Sequence, residues 1–412
     1  MSADAMRPPS RSGPSEWMRR NLFRTWYDTV LTVVFGALAL YVLARAIVFV
    51  FVDARWEIIE VNLKLLMVGR WPSEELTTIA VAVAMTGLLI GLVAGLVRGR
   101  QVRAGTAVRP SIGSRLADLA GRFSLLIGTA LLLLALTDTA GPWTMAIATL
   151  VAGVVGRLVG GWLGSRFLPR WVTRLGALLI VAIPFVVFFY LNRAVPLAAW
   201  EGFFFNITAA MAGILLCFPL GVLLALARRS RLRLLQSMSI VYIEFVRGAP
   251  LFVLLLMANV SLEFFVPAAI APSKVVRAIT VFTLFTAAYL AEIVRGGLQS
   301  VPRGQEEAAT ALGLSPFKSM LLIVLPQALR NVIPAQIGQF ISLFKDTTLA
   351  GLALGILDML SAAQVITQQP AFRGQGLIIE TLVFVGFLFW VGSFTMSRES
   401  QRLERKIGVG ER

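Results

Sequence analysis

About ten stretches of this chain are apolar for long enough to cross a bilayer, and no other feature constrains its fold so strongly. A spanning helix needs about 20 mostly apolar residues, and inside lipid its backbone must satisfy its own polar groups. The stretches fall near 28–52, 75–97, 123–138, 142–164, 175–191, 204–227, 240–266, 276–296, 327–345 and 375–396. The expected fold is therefore all-α and polytopic. Of the 412 residues, 57% are hydrophobic and 15% charged, whereas soluble domains hold about 45–50% and 25%. The third stretch, Phe123 to Asp138, is short and suits a helical hairpin with the fourth around Gly141–Pro142. Leu349 to Ile366 is apolar but interrupted by Asp358 and Gln364, and reads as a partly re-entrant segment.

Charge adds orientation. The chain carries 38 Lys and Arg against 22 Asp and Glu, an excess that in so apolar a sequence marks cytoplasmic loops rather than nucleic-acid binding. With the N-terminus inside (Arg7, Arg11, Arg19, Arg20, Arg24), alternation places four loops and the tail from Arg398 inside as well. Those loops are Arg98 to Arg122, Arg166 to Arg174, Arg228 to Arg247 and Arg295 to Arg330. About 28 of the basic residues then lie inside and about 7 outside, the asymmetry expected of an even number of crossings. There is no His and one Cys, Cys217, so a His/Cys metal site, a Cys–His nucleophile and a disulfide framework are excluded. The apolar stretch after residue 25 is too long for a signal-peptide core and reads as a retained anchor.

The chain divides by composition. Residues 1–25, rich in Ser, Pro and Arg, form a tail expected to be mobile. Residues 26–195 form an extension of about five spans, in which Arg45 and Arg157 are the in-span charges. It is expected to serve as a structural or partner-binding collar. Residues 196–407 hold about five more spans punctuated by Gly, Pro, Thr, Glu and Gln, and 408–412 close the chain. A short echo, Glu244-Phe-Val-Arg247-Gly and Glu292-Ile-Val-Arg295-Gly, puts Glu and Arg three residues apart on one helix face at the cytoplasmic ends of two spans. Such pairs either anchor helix ends or take part in coupling.

The most informative segment runs from Val301 to Pro326. Pro302 opens a helix, and Glu306 and Glu307 sit near its N-terminal end, where the helix dipole favours negative charge. Ala308, Ala309 and Ala311 are compact helix formers. Gly313 suits the left-handed position that ends a helix. Ser315 and Pro316 supply the cap and first turn of a second helix, which Pro326 is expected to end. Two short helices around a hinge, with small residues and a carboxylate, are shaped to lie in another protein's groove, although ordinary loop helices look similar.

Here the chain resembles a known family. Glu307-Ala308-Ala309, three residues, Gly313, nine residues, then Ile323-x-Leu325-Pro326 is similar to the EAA loop of ABC importer permeases. Tyr242 to Pro250, Ala288 to Gly297, Leu325 to Arg330 and Lys345-Asp-Thr-Thr-Leu349 resemble the polar amino acid subfamily. The added N-terminal half, with its Trp56-to-Trp71 segment, resembles the long subunit of general L-amino acid importers. Thr348 stands where Ser is usual.

The likeness covers about residues 200–407 and implies a type I permease core of five spans. It implies import of amino acids, polar or general, across a bacterial inner membrane, with both termini cytoplasmic. The implied partners are a second, different permease, a cytoplasmic ABC ATPase dimer holding ATP and Mg, and a periplasmic amino acid-binding protein. The resemblance also implies that Glu306 to Pro326 receives the ATPase, and no cofactor is implied for this chain. The sequence holds no Walker A pattern, so any ATP chemistry belongs to a partner.

A path for an amino acid needs polar groups facing the bundle interior. The candidates are Thr208, Asn259, Thr283, Thr286, Gln336, Gln339, Ser342, Lys345, Asp346 and Thr348. Gln336, Gln339 and Ser342 lie near one helix face. Such groups equally often bond neighbouring helices. An ion-coupled transporter, a membrane-embedded enzyme and a non-transporting scaffold are the alternatives. Most acids cluster at span ends, which argues against the first, and no convincing catalytic pair supports the second.

Overall fold

A computed structural model describes residues 13–103, 105, 121, 123–137, 140–166, 182–183, 185–267 and 270–408. The described residues are helical throughout, apart from turns and one isolated bridge between Gly202 and Asp358. Two compact units divide the chain, Met1–Trp56 and Glu57–Arg412.

The first unit contains α1 (Pro14–Asn21) and α2 (Trp26–Val48). Helix α1 falls inside the stretch expected to be mobile. Pro14 starts it and a Glu16–Arg20 ion pair at 3.1 Å supports it one turn apart. Helix α2 begins with a reciprocal cap, in which Thr25 Oγ1 accepts from Asp28 N at 3.2 Å and Asp28 Oδ2 from Thr25 N at 3.1 Å. With its π-helical extension it forms a span, Trp26–Asp53. It is apolar on all sides, and Arg45 lies exposed in its last α-helical turn.

The second unit contains α3 (Glu57–Val68), α4 (Leu76–Arg103), α5 (Ser124–Ala135), α6 (Ala140–Arg166), α7 (Phe185–Ala194), α8 (Gly202–Arg228), α9 (Arg233–Gly248), α10 (Leu251–Val260), α11 (Lys274–Ser300), α12 (Arg303–Ala311), α13 (Pro316–Asn331), α14 (Ile333–Asp346), α15 (Leu349–Leu354), α16 (Met359–Ile366) and α17 (Ile378–Ile407). Each of the ten apolar stretches overlaps at least one of the described helices. Among the described residues six helices are long and apolar enough to span by themselves, or eight if each of two bent pairs counts as one. Helix α5, at about 1.5 Å per residue, reaches little more than half of a bilayer core. The first part of the fifth stretch, 175–181, lies outside the described residues, as do Arg7, Arg11, Arg109, Arg115, Arg122, Arg170 and Arg174.

Both bends have a proline cause. Helices α9 and α10 meet at 100°, so the expected seventh span, 240–266, is broken. Ala249, placed before Pro250, is forced into extended backbone (φ −92°, ψ 138°) and cannot continue the helix. Helices α13 and α14 meet at 62°, next to Pro334 in the first turn of α14, whose ring would clash with the carbonyl one turn earlier.

Close packing rests on glycine. A Cβ added at Gly91, Gly95 or Gly99 of α4 would lie 2.2–2.5 Å from backbone oxygens of α6. One at Gly156, Gly160 or Gly164 of α6 would lie 2.1–2.5 Å from backbone oxygens of α4. The two helices therefore touch backbone to backbone along a stripe repeating every four residues, the small-residue geometry that joins helices in lipid. This replaces the expected hairpin: α6 lies along α4, and α5 packs against α17.

Between α8 and α11, Gly221 fits against Leu290, and Gly297 of α11 admits the Ala328 carbonyl of α13. Helix α3 buries Ile58, Ile59, Leu63 and Leu66 against α8, α16 and α17. It is held there by Gln369 Nε2 donating to Asn62 Oδ1 at 2.7 Å and by an Arg70–Glu201 ion pair. Trp71, Trp200, Phe188 and Phe204 pack against one another, tilted or edge to face, beside that pair. The extension thus meets the C-terminal half through specific polar bonds.

Candidate functional site

The segment from Val301 onward folds as an elbow. Pro302 caps α12, and the chain leaves that helix through paired 6→1 and 5→2 bonds. Leu314 N donates to Ala309 O at 3.0 Å, and Gly313 N to Thr310 O at 2.9 Å. This double closure demands a left-handed residue, and Gly313 supplies it at φ +77°. Ser315 then caps α13, accepting from Lys318 N at 3.4 Å, with Pro316 in the first turn.

Pro326 does not end the second helix as expected. A π-helical turn, Met320–Val324, widens the helix just before it, and the helix continues to Asn331. The wider turn makes room for a ring that would otherwise clash with the preceding turn. Gln327 restores the linkage: its Nε2 donates to Ile323 O at 3.0 Å and to Gln305 Oε1 of α12 at 3.1 Å. The two arms of the elbow are thus joined to each other.

Inside the elbow Ala309 and Leu325 are buried, Ile323 is half-buried, and Glu307, Ala308 and Pro326 are exposed. At the tip Leu312 is 82% and Phe317 74% exposed. Apolar side chains standing out at a turn mark an interaction surface. A Gly313→Ala change meets no atom within 4 Å, so its cost is conformational, about 1–2 kcal/mol. The expected result is faster hydrogen exchange around Leu312–Phe317 with an unchanged melting temperature of the whole protein.

A charge cluster backs the elbow. Glu292 of α11 bonds Arg295 at 2.8 Å as the echo predicts, but it also pairs with Arg228 of α8 and with Arg247 of α9 at 3.9 Å. Glu244 does not pair with Arg247. It pairs with Arg228 at 3.2 Å, because the convergence of three helix ends brings that guanidinium between the two carboxylates. Arg247 lies 5.5 Å from the Tyr289 ring centroid. Arg229 reaches Glu306 of α12 at 3.7 Å. Sequence reasoning missed Arg228 and Arg229; the signal available was a double arginine closing the span that precedes the first echo.

The path candidates are scattered. Thr208 donates back to Phe204 O at 2.8 Å, Asn259 Nδ2 to Ala353 O at 3.0 Å, and Thr348 to Lys345 O at 2.9 Å. Lys345 and Asp346 close α14. Thr286 is buried, and Gln339 and Ser342 are half-buried. Thr283 Oγ1 and Gln336 Nε2 are buried and, among the described residues, without hydrogen-bond partners.

At the end of α14 away from the elbow, sequence reasoning missed a buried polar knot. Asp358 caps α16, accepting from Leu360 N at 3.3 Å and Ser361 N at 3.1 Å. Asn206 donates to Thr347 Oγ1 at 3.1 Å and accepts from Met359 N at 3.1 Å.

Residues 217–409, which include the elbow and the charge cluster, match the family described as binding-protein-dependent transport system inner membrane component. The glutamate/glutamine/aspartate/asparagine transport system permease protein BztC of Rhodobacter capsulatus is 34% identical over 438 aligned positions, covering 99% of this chain and 96% of that one. The chain belongs to this family of ABC importer permeases. The inner membrane amino-acid ABC transporter permease protein YhdY of Escherichia coli (strain K12) is 39% identical over 246 residues, 60% of this chain and 66% of that relative's length. A crystal structure of an amino acid ABC transporter with histidines aligns at 26% identity and TM-score 0.45, over 53% of this permease and 98% of that chain. As members of ABC importers, such permeases work with an ATPase and a substrate-binding protein. They are multi-pass proteins of the inner membrane and are not themselves enzymes.

Proposed function

We propose that this permease forms the membrane path of an ATP-driven importer for amino acids, polar or general, and that the elbow is where the ATPase acts. The reading rests on one observation: a rigid two-helix turn, cross-bonded through Gln305 and Gln327, carries an exposed apolar tip and is wired by Arg229–Glu306 to the ends of the spans. Force applied at that tip has a stiff route to the bundle. The elbow side is cytoplasmic and both termini share it, a reading supported by the arginines gathered there. A second, different permease completes the path, and residues 26–195 form the extension that sets this subunit apart. Thr283, Gln336 and their neighbours on α14 are the candidates for contact with the substrate.

Uptake of a labelled amino acid panel into vesicles tests the reading, with and without ATP and the binding protein. Accumulation that needs both is expected. Accumulation driven by an ion gradient without ATP would replace the reading by secondary transport.

A further inference from the structure

Three guanidiniums from three helices converge on the Glu292 carboxylate. Its partners are Arg228 at the end of α8, Arg247 in the last turn of α9 and Arg295 one turn along α11. Its side chain is 15% exposed, and those of the arginines 21–37%. Glu244 is the other acid in the group, so three positive charges face two negative ones. Without Glu292, three half-buried cations would be left with Glu244, which pairs with Arg228, as their one carboxylate, and would push the helix ends apart. The residue following Arg228, Arg229, bonds Glu306 in the first turn of α12. One short stretch of backbone therefore joins the hub to the elbow.

We infer that Glu292 is a positioning residue for transport, holding the ends of α8, α9 and α11 as one unit to which the Arg229–Glu306 pair couples the elbow. The inference rests on the importer reading and adds the element through which the elbow's motion reaches the spans. Motion of α12 then shifts α8 and α11 together. Once the hub is broken, the elbow moves without them and hydrolysis separates from transport.

The test uses the full complex in vesicles and measures amino acid uptake per ATP hydrolysed. Glu292→Gln is expected to lower that ratio about tenfold or more, with complex assembly and hydrolysis within about twofold of wild type. Glu292→Asp, which keeps the charge, is expected to recover part of the ratio. Arg229→Glu and Glu306→Arg are each expected to lower the ratio, and the two together to restore it. An unchanged ratio in Glu292→Gln, or a loss of uptake matched by an equal loss of hydrolysis or assembly, would overturn the inference. Should Glu292→Gln fail to accumulate, the exchanged pair decides, and failure of the exchange to restore the ratio overturns it. Absence of ATP-driven uptake in the wild type would instead strike the importer reading, and the hub's role in transport would fall with it.

Discussion

Gly160→Ala should destabilise the protein, while the same change one residue later should not. A Cβ at Gly160 would lie 2.1 Å from the Leu92 carbonyl oxygen, a backbone atom unable to step aside without moving α4. At Gly161 it would meet nothing within 4 Å. Overpacking a tight interface costs about 1–3 kcal/mol and sometimes more, whereas removing a helix glycine in open space stabilises by about 0.5–1 kcal/mol. Melting of the detergent-solubilised chain should therefore shift down for Gly160→Ala and stay level or rise for Gly161→Ala. Equal melting temperatures for the two variants would show that α4 and α6 do not meet at this stripe.

The second large effect is expected at Asp358. Replacement by alanine removes the cap of α16 and leaves the Leu360 and Ser361 amides, with Asn206 beside them, short of an acceptor in a buried place. Losing the cap bonds costs about 1 kcal/mol and leaving the buried Asn206 amide short of an acceptor about 1–3, so a loss of about 2–4 kcal/mol is expected. Asp358→Asn keeps an acceptor oxygen and should lose less than half as much. Gly351→Ala should reproduce the alanine defect by another route, because its Cβ would lie 2.0 Å from Asp358 Oδ1. Denaturant or thermal melting of the three variants orders them. Wild-type stability in Asp358→Ala would show that the knot has no structural role.

The elbow was the most legible part of the chain because its signals are local. Pro302, Gly313, Ser315 and Pro316 each dictate a backbone state within one or two residues, and the structure has all four in those states. Pro326 misled because a proline ends a helix only when the preceding turn stays tight, and the π-helical turn at Met320–Val324 relaxes it. The spans were legible as apolar runs, but the bends at Pro250 and Pro334 read as uninterrupted stretches.

Partner choice was the least legible. Glu244 and Arg247 have the spacing of a helix pair, yet tertiary placement gives Glu244 to Arg228. The glycines of α4 and α6 repeat visibly every four residues, but which helix they face is a fact of the packed structure. Asp358, read only as an interruption in an apolar run, caps a helix through the amides of Leu360 and Ser361 and also accepts from Asn206, 152 positions away.

Cross-linking at the elbow tip is the most direct check. With Cys217, buried in α8, replaced by alanine, a single cysteine at Leu312 offers one reactive site on an exposed turn. A short bifunctional reagent applied to membranes holding the assembled importer should capture the ATPase subunit, in a yield that changes when nucleotide is added. Normal insertion and labelling of that cysteine with no ATPase captured, or labelling from the outer face of the membrane, would contradict the coupling role assigned to this turn.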